Sequence, residues 1–266
     1  MTSEEFQSHI WDKAKVHYRS MPWREDVRPY YVLVSELMLQ QTQVDRVVPK
    51  FLAFIRAFPD EHTLASASLA EVLTHWSGLG YNRRAKFLHD AAKKIVSEYG
   101  GVFPDDEQAL LSLPGVGKNT KGAILAYAFN QPAIFVETNV RTVYFHHFFT
   151  DGEQVDDKQI EELLEKTIDD EHPREFYWAL MDYGTYLKKQ GAGKIQQSRH
   201  YKKQPALKGS VREIRGQILK HLTGGDIREA DMKQRVVYDE RFDLALNGLL
   251  KDGLVMRQDD MLHLTK

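Results

Sequence analysis

The octet Leu113-Pro114-Gly115-Val116-Gly117-Lys118-Asn119-Thr120 separates two stretches of helical periodicity, one ending near Ser112 and the next beginning near Thr120. Two glycines at a spacing of two let the backbone come close to a ligand and take positive φ. The second helix presents unpaired N–H groups at its start, where the helix dipole favours an anion. A phosphate suits that arrangement, with Gly115, Val116, Gly117, Lys118, Thr120 and Lys121 as its contacts. The competing reading is an ordinary glycine turn between packed helices. The full pattern L-P-G-V-G-K-x-T between two helices is far more restrictive than G-V-G alone.

Outward from the octet the chain reads almost wholly as helix. Periodic apolar positions mark helices over residues 30–39, 47–58, 68–77, 84–99 and 106–112 before it. After it the pattern continues over residues 120–129, 139–149, 157–168 and 174–188. Pro59, Gly78, Gly80, Gly100, Gly101, Pro104 and Pro132 interrupt the helices. Residues 190–204 are polar and basic, as in a linker or ordered loop. Ser210-Val211-Arg212-Glu213 is then a capping-box pattern, and Val211, Ile214, Ile218, Leu219 and Leu222 form one apolar face. Helices over 229–237 and 240–251, the second closed by Gly253, lead into a β-hairpin over 254–264 that turns at Asp259 and Asp260. Three helices and a hairpin make a winged helix-turn-helix pattern.

None of the 266 residues is cysteine, so this chain offers no thiolate to a disulfide, a zinc finger or an iron–sulfur cluster. The 11 histidines show no metal-ligand spacing. Adjacent His146 and His147 would diverge by about 100° on a helix. No apolar run approaches the roughly 18 residues of a membrane span, and the first residues carry no signal core, so an intracellular protein is expected. A net charge of −2 does not announce a nucleic-acid partner, but the charge is uneven. Residues 151–175 hold 11 acidic and 3 basic side chains, whereas residues 188–208 hold 7 Lys or Arg and no acid. One surface should repel a phosphate backbone and another attract it. From Ser210 onward the balance is 10 to 10, which favours neither DNA binding by the tail nor a packing role.

The octet resembles the DNA-binding hairpin of the helix-hairpin-helix DNA glycosylases, and further motifs, in order, resemble their MutY-type adenine glycosylases. Met21-Pro22-Trp23-Arg24 is similar to their L-P-W-R motif, and residues 35–44, S-E-L-M-L-Q-Q-T-Q-V, to S-E-V-M-L-Q-Q-T-Q-V. Gly78-Leu79-Gly80-Tyr81 is similar to a G-L-G-Y turn, and Val136-Glu137-Thr138-Asn139-Val140 to V-D-G-N-V. Leu180-Met181-Asp182-Tyr183-Gly184 is similar to the last common helix. The resemblance covers about residues 10–190. It implies an all-α, two-lobed fold, with one lobe of about residues 26–125 and a second made of 1–25 plus 126–206. The winged-helix-like (α+β) domain of 207–266 follows.

Glu36, flanked by Leu33, Leu37, Met38 and Leu39, would be kept protonated near neutral pH by desolvation if it faces a pocket. Such an acid can protonate a leaving base. The plain alternative is a surface glutamate on an amphipathic helix; the resemblance implies the catalytic role. Cleavage leaves an oxocarbenium-like sugar that a second carboxylate stabilises. Where the family has Asp this chain has Glu137, with Thr138 in place of Gly and Thr142 in place of Arg. A helix-start acid favoured by the dipole is the competing reading of Glu137. Bifunctional relatives carry a lysine nucleophile where this chain has Asn119, so a monofunctional glycosylase that leaves the DNA backbone intact is expected.

A base must be flipped out of the duplex to be reached. Gln41 and Tyr81 match the family's wedge residues, and Trp23, Arg24, Leu39 and Asp182 match residues lining the base pocket. Where relatives place a four-cysteine cluster loop, Lys188, Lys189, Lys202 and Lys203 are expected to contact phosphates. No cofactor is expected beyond a K+ or Na+ ion, which the family's hairpin often holds on backbone carbonyls. The implied partner is double-stranded DNA with a mismatched or damaged base, bound by a monomer and without a membrane. In a prokaryote the protein would be cytoplasmic and nucleoid-associated. Adenine is the base implied first. A thymine or uracil mismatch glycosylase shares the scaffold, and a non-catalytic DNA-binding protein is the rival of a different class. The tail does not resemble the family's domain that checks for 8-oxoguanine opposite adenine.

Overall fold

Side-chain caps fix several helix starts in the computed structural model, which describes residues 1–199, 201 and 205–265. Thr2 with Glu5, Ser68 with Glu71 and Asp156 with Gln159 each form a reciprocal capping box, at α1 (Ser3–His17), α6 (Leu69–Trp76) and α11 (Asp157–Thr167). Between the first two lie α2 (Pro22–Glu25), α3 (Pro29–Leu39), α4 (Val44–Ala57) and α5 (Glu61–Ser66). Next come α7 (Arg83–Tyr99), α8 (Glu107–Ser112), α9 (Lys118–Tyr127) and α10 (Thr138–Phe148), and α12 (Pro173–Lys189) follows α11. The tail holds α13 (Val211–Leu222), α14 (Glu229–Arg235) and α15 (Glu240–Lys251), with strands β1 (Ile227–Arg228), β2 (Val255–Gln258) and β3 (Met261–Leu264). The fold is mostly helical, as expected.

The chain falls into two compact units: Met1–Leu33, Asp105–Leu111 and Val116–Lys203 in the first, and Val34–Pro104, Ser112–Gly115 and Gln204–Lys266 in the second. These bounds differ from those expected at residues 26, 125 and 206. Residues 116–125 share a unit with the N-terminus because Gly122 of α9 packs directly on Phe135, where a Cβ would come within 2.7 Å of the ring. The tail shares a unit with residues 34–104, and α13 is one wall of a groove there.

In the first unit α12 packs on α1 and α10 around buried Phe6, Phe135, Tyr144, Phe145, Phe176 and Tyr177. Gly184 lets α12 approach α10 closely: a Cβ there would lie 2.5 Å from the Asn139 carbonyl oxygen. In the second unit Phe51, Phe54 and Trp76 form the core of α4 and α6, and Leu88 and Ile95 add the inner face of α7. The tail has helix–strand–helix–helix–hairpin order and an antiparallel sheet ordered β1-β3-β2, with Ile227 opposite Leu262 and Val255 opposite Leu264. That is the winged-helix pattern with one strand more than expected. The cap of α13 differs in one detail. Ser210 accepts from the Glu213 N–H, but the Glu213 carboxylate accepts from the Gly209 N–H, one residue before the cap.

Candidate active site

The octet forms a turn between α8 and α9 in which Gly115 takes φ +81°. A Cβ at Gly115 would lie 2.8 Å from Phe87 Cβ, so glycine is required both by conformation and by space. Gly117 is the N-cap of α9, with no side-chain cap bond and open space around it. The backbone at this helix start is therefore arranged for an anion. The side chains are less open. Lys118 is paired with Glu161 at 2.7 Å. Lys121 is buried and paired with Glu107 at 2.8 Å, which withdraws it from the phosphate-contact role expected of it. Val116 and Thr120 are buried as well.

Asn119 and Glu137 come together in the first unit. The Asn119 side-chain amide donates to the Val136 carbonyl at 3.0 Å, tying the start of α9 to the residue before Glu137. Glu137 is the N-cap of α10 but makes no side-chain cap bond, so its carboxylate is not spent on its own helix. Burial pushes its pKa up, against the opposing pull of Arg141 and then Lys188. Arg141 is itself held by Asp157 through two bonds of 2.7 and 2.6 Å. The Lys188 pKa is lowered by desolvation and by Arg19, with Glu137 acting in the opposite sense. Lys188 thus belongs electrostatically to the surroundings of Glu137, a role its place in a basic run did not signal. Lys189 is exposed; Lys202 and Lys203 lie outside the described residues. Thr142 is buried, its hydroxyl donating to the Thr138 carbonyl at 2.9 Å.

Arg24 and Asp182 also meet in the first unit, where Trp23 is buried. Asp182 accepts from Arg24 at 2.7 and 3.1 Å, from Arg19 Nε at 2.7 Å and from the Arg19 N–H at 3.1 Å. Arg24 lies over the Trp178 ring, 5.2 Å from its centroid. The pair is buried and mutually satisfied, so it pins α2 to α12, and removing one partner would cost about 3–5 kcal/mol.

Glu36, Leu39, Gln41 and Tyr81 fall in the second unit, Glu36 half-buried on α3. Gln41 and Tyr81 both hold left-handed backbone, at φ 56° and 49°. Between them sits Arg84, which the sequence did not single out. Its guanidinium reaches the carbonyls of Leu37, Met38 and Gln40 at 2.7, 2.9 and 2.5 Å, capping the last turn of α3. It also reaches Thr42 Oγ1 and the carbonyls of Gly80 and Tyr81, at 3.1, 3.0 and 3.3 Å. Burial pushes the Arg84 pKa down to about 10, which leaves it charged at neutral pH. The only prior signal was its place three residues after the G-L-G-Y turn. Among the described residues no group of three or more His, Asp or Glu side chains could hold a metal ion, and no helix is long and apolar enough to cross a membrane.

The family described as HhH-GPD superfamily base excision DNA repair protein matches residues 34–170. The adenine DNA glycosylase of Buchnera aphidicola subsp. Baizongia pistaciae is 37% identical over 173 residues, 64% of this chain and 48% of that protein. The chain therefore spans about half of that relative. The adenine DNA glycosylase of Mycobacterium tuberculosis is 34% identical over 266 residues, 91% of this chain and 88% of its own. Among solved structures, a thermostable thymine-DNA glycosylase superposes with a TM-score of 0.64 at 29% identity, covering 68% of this chain and 85% of that one. With the hairpin turn and the ordered helices already in place, the chain belongs to the HhH-GPD superfamily of base excision DNA repair proteins.

Proposed function

We propose that this chain is a monofunctional adenine DNA glycosylase, hydrolysing the N-glycosidic bond of a mispaired adenine in double-stranded DNA during base excision repair. The observation that carries the reading is the likeness to an adenine DNA glycosylase through nearly the whole of both chains. In this reading Glu36 protonates a ring nitrogen of adenine, the bond to C1′ breaks, and the base leaves neutral. Water then adds to C1′ and loses a proton to solvent, from which Glu36 is protonated again. Glu137 stabilises the sugar cation between those steps. A carboxylate disfavoured as an isolated anion by burial gains most when a cation forms beside it, and Arg141 and Lys188 counter its neutralisation beforehand. Asn119 carries an amide that cannot form a Schiff base, so the DNA backbone stays intact. A K+ or Na+ ion at the hairpin would take main-chain carbonyl ligands, uncharged hard donors that suit such ions, and would add positive charge beside a phosphate. The protein acts as a monomer on DNA.

Single-turnover base release across pH tests the assignment. Glu36→Gln lowers the rate by about 10²–10⁴-fold while duplex binding by gel shift persists. The wild-type rate falls at low pH as Glu137 takes up a proton. The acid limb lies above the ordinary carboxylate range because the Glu137 pKa is raised, and Glu137→Gln removes that limb. Near-normal release by Glu36→Gln would overturn the role of Glu36. Thymine is the second reading, favoured by the likeness to the thymine-DNA glycosylase. A panel of duplexes with adenine, thymine or uracil mispaired decides, and release of thymine alone would overturn adenine.

A further inference from the structure

Within the second unit, residues 77–84, Gln40 and Gln41, and one face of α13 enclose a groove of about 1090 Å³. Small-ligand pockets span about 300–1,000 Å³, so a nucleotide unit has room here. The groove joins two parts of the chain that share no motif: the residues matching a wedge and the first helix of the tail. Arg212 Nη1 donates to the Tyr81 hydroxyl at 2.7 Å, and Arg212 Nη2 is anchored on the Pro205 carbonyl at 2.7 Å. Two guanidiniums approach the Tyr81 ring, Arg212 at 5.9 Å and Arg84 at 5.4 Å from its centroid. Left-handed backbone at two non-glycine residues of one groove, Gln41 and Tyr81, is costly and concentrates where ligands are gripped.

Cations outnumber the two carboxylates, Glu213 and Asp252, that line the groove. Arg46, Arg83, Arg212 and Lys220 line it. Asp252 is occupied by Arg215 at 2.6 Å and faces Arg83 at 3.5 Å, and the Glu213 carboxylate is turned to the Gly209 N–H at 2.7 Å. The third helix of a winged helix-turn-helix is the one that ordinarily enters the DNA groove, N-terminal residues first. In this tail that helix is α15, and its first turn carries Asp239, Glu240 and Asp243, with Glu240 and Asp243 exposed. A phosphate backbone would be repelled there and attracted at α13.

We propose that this groove binds one nucleotide unit of the DNA, its base against Tyr81 and its phosphodiester on Arg212, Arg46 and Lys220, and that α13 rather than α15 is the tail's DNA-holding helix. The proposal rests on the glycosylase reading for its ligand. It makes Arg212 a positioning residue for Tyr81 as well as a phosphate contact.

Gly216 offers a clean test. It lies on the groove wall, is exposed, and has no heavy atom within 4 Å of where a Cβ would stand. In the full chain, Gly216→Asp places a carboxylate in the groove without a clash, and Gly216→Asn places the same shape without charge. Fluorescence anisotropy with a labelled mismatch duplex at several salt concentrations reads both. Gly216→Asp should weaken binding about tenfold and lower the logarithmic salt slope by about 0.9, while Gly216→Asn binds like wild type. Arg212→Gln should weaken binding and also reduce the fluorescence rise of a 2-aminopurine placed opposite the target, because Tyr81 loses its hold. Glu240→Gln with Asp243→Asn on α15 should leave affinity unchanged. Equal binding by Gly216→Asp and Gly216→Asn, or tighter binding by the α15 pair, overturns the proposal. Base release by the wild type on the same duplex tests the glycosylase reading separately, so each failure is recognised by itself. Matching thermal melts for the two Gly216 variants exclude misfolding as the cause of a difference.

Discussion

The turn at residues 113–118 and the groove beside α13 would each suit a phosphate, but with different groups. At the turn the lysines are engaged, Lys118 with Glu161 and Lys121 with Glu107, and the offer comes from the backbone start of α9 at Gly117. At the groove the offer comes from side chains, among them Arg46, Arg212 and Lys220. Backbone sites depend on glycine conformation, which a contiguous motif records. Side-chain sites are assembled from positions far apart in the chain and leave no such record.

That contrast breaks if the turn tolerates a side chain. Gly115→Ala must hold φ +81° with a Cβ 2.8 Å from Phe87 and 3.2 Å from Leu37, so urea melts should show a loss of about 2–4 kcal/mol. A loss below about 1 kcal/mol would mean that the turn adapts and that its backbone is not set in advance. A finer distinction lies between the two lysines. The Lys118 pair is exposed, worth under about 1 kcal/mol, and readily exchanged for a phosphate. Lys118→Ala should therefore lower the salt slope of duplex binding by about 0.9, and Lys121→Ala should leave the slope unchanged because its ammonium stays with Glu107. Equal slopes for both variants would put the whole offer on the backbone. The smallest effect belongs to the groove wall. Gly216→Ala should raise stability by about 0.5–1 kcal/mol, as alanine does in an open helix interior, seen as a small rise in Tm. A fall would show that something already covers that face of α13.

Much of the fold was legible because periodicity and glycine carry it. The helix over residues 240–251 and the turn at Asp259, where φ is +53°, stand where the pattern put them. The strand Ile227–Arg228 was not legible, since two residues cannot display an alternation and its partner Leu262 lies 35 positions on. Nor was α1 singled out: only Phe6 and Ile10 of its 15 residues are buried, too few to mark a face. The contiguous motifs singled out Glu36 in the second unit, and Asn119 and Glu137, which come together in the first. The burial of Lys121, the charge of Lys188 beside Glu137, and the hold of Arg212 on Tyr81 depend on partners 14, 51 and 131 positions away, where no local pattern reaches.

Arg84 gives the second unit a shared joint. The helix that bears Glu36 and the turn that bears Tyr81 end on the same planar group, so the two are a single mechanical part, and a push on the tyrosine is felt at the end of that helix. An ammonium has three protons and no plane, too few for six acceptors spread over two segments, so lysine could not keep the joint. Neither segment can drift in evolution without the other, so the positions of Glu36 and Tyr81 inherit a common tolerance for change.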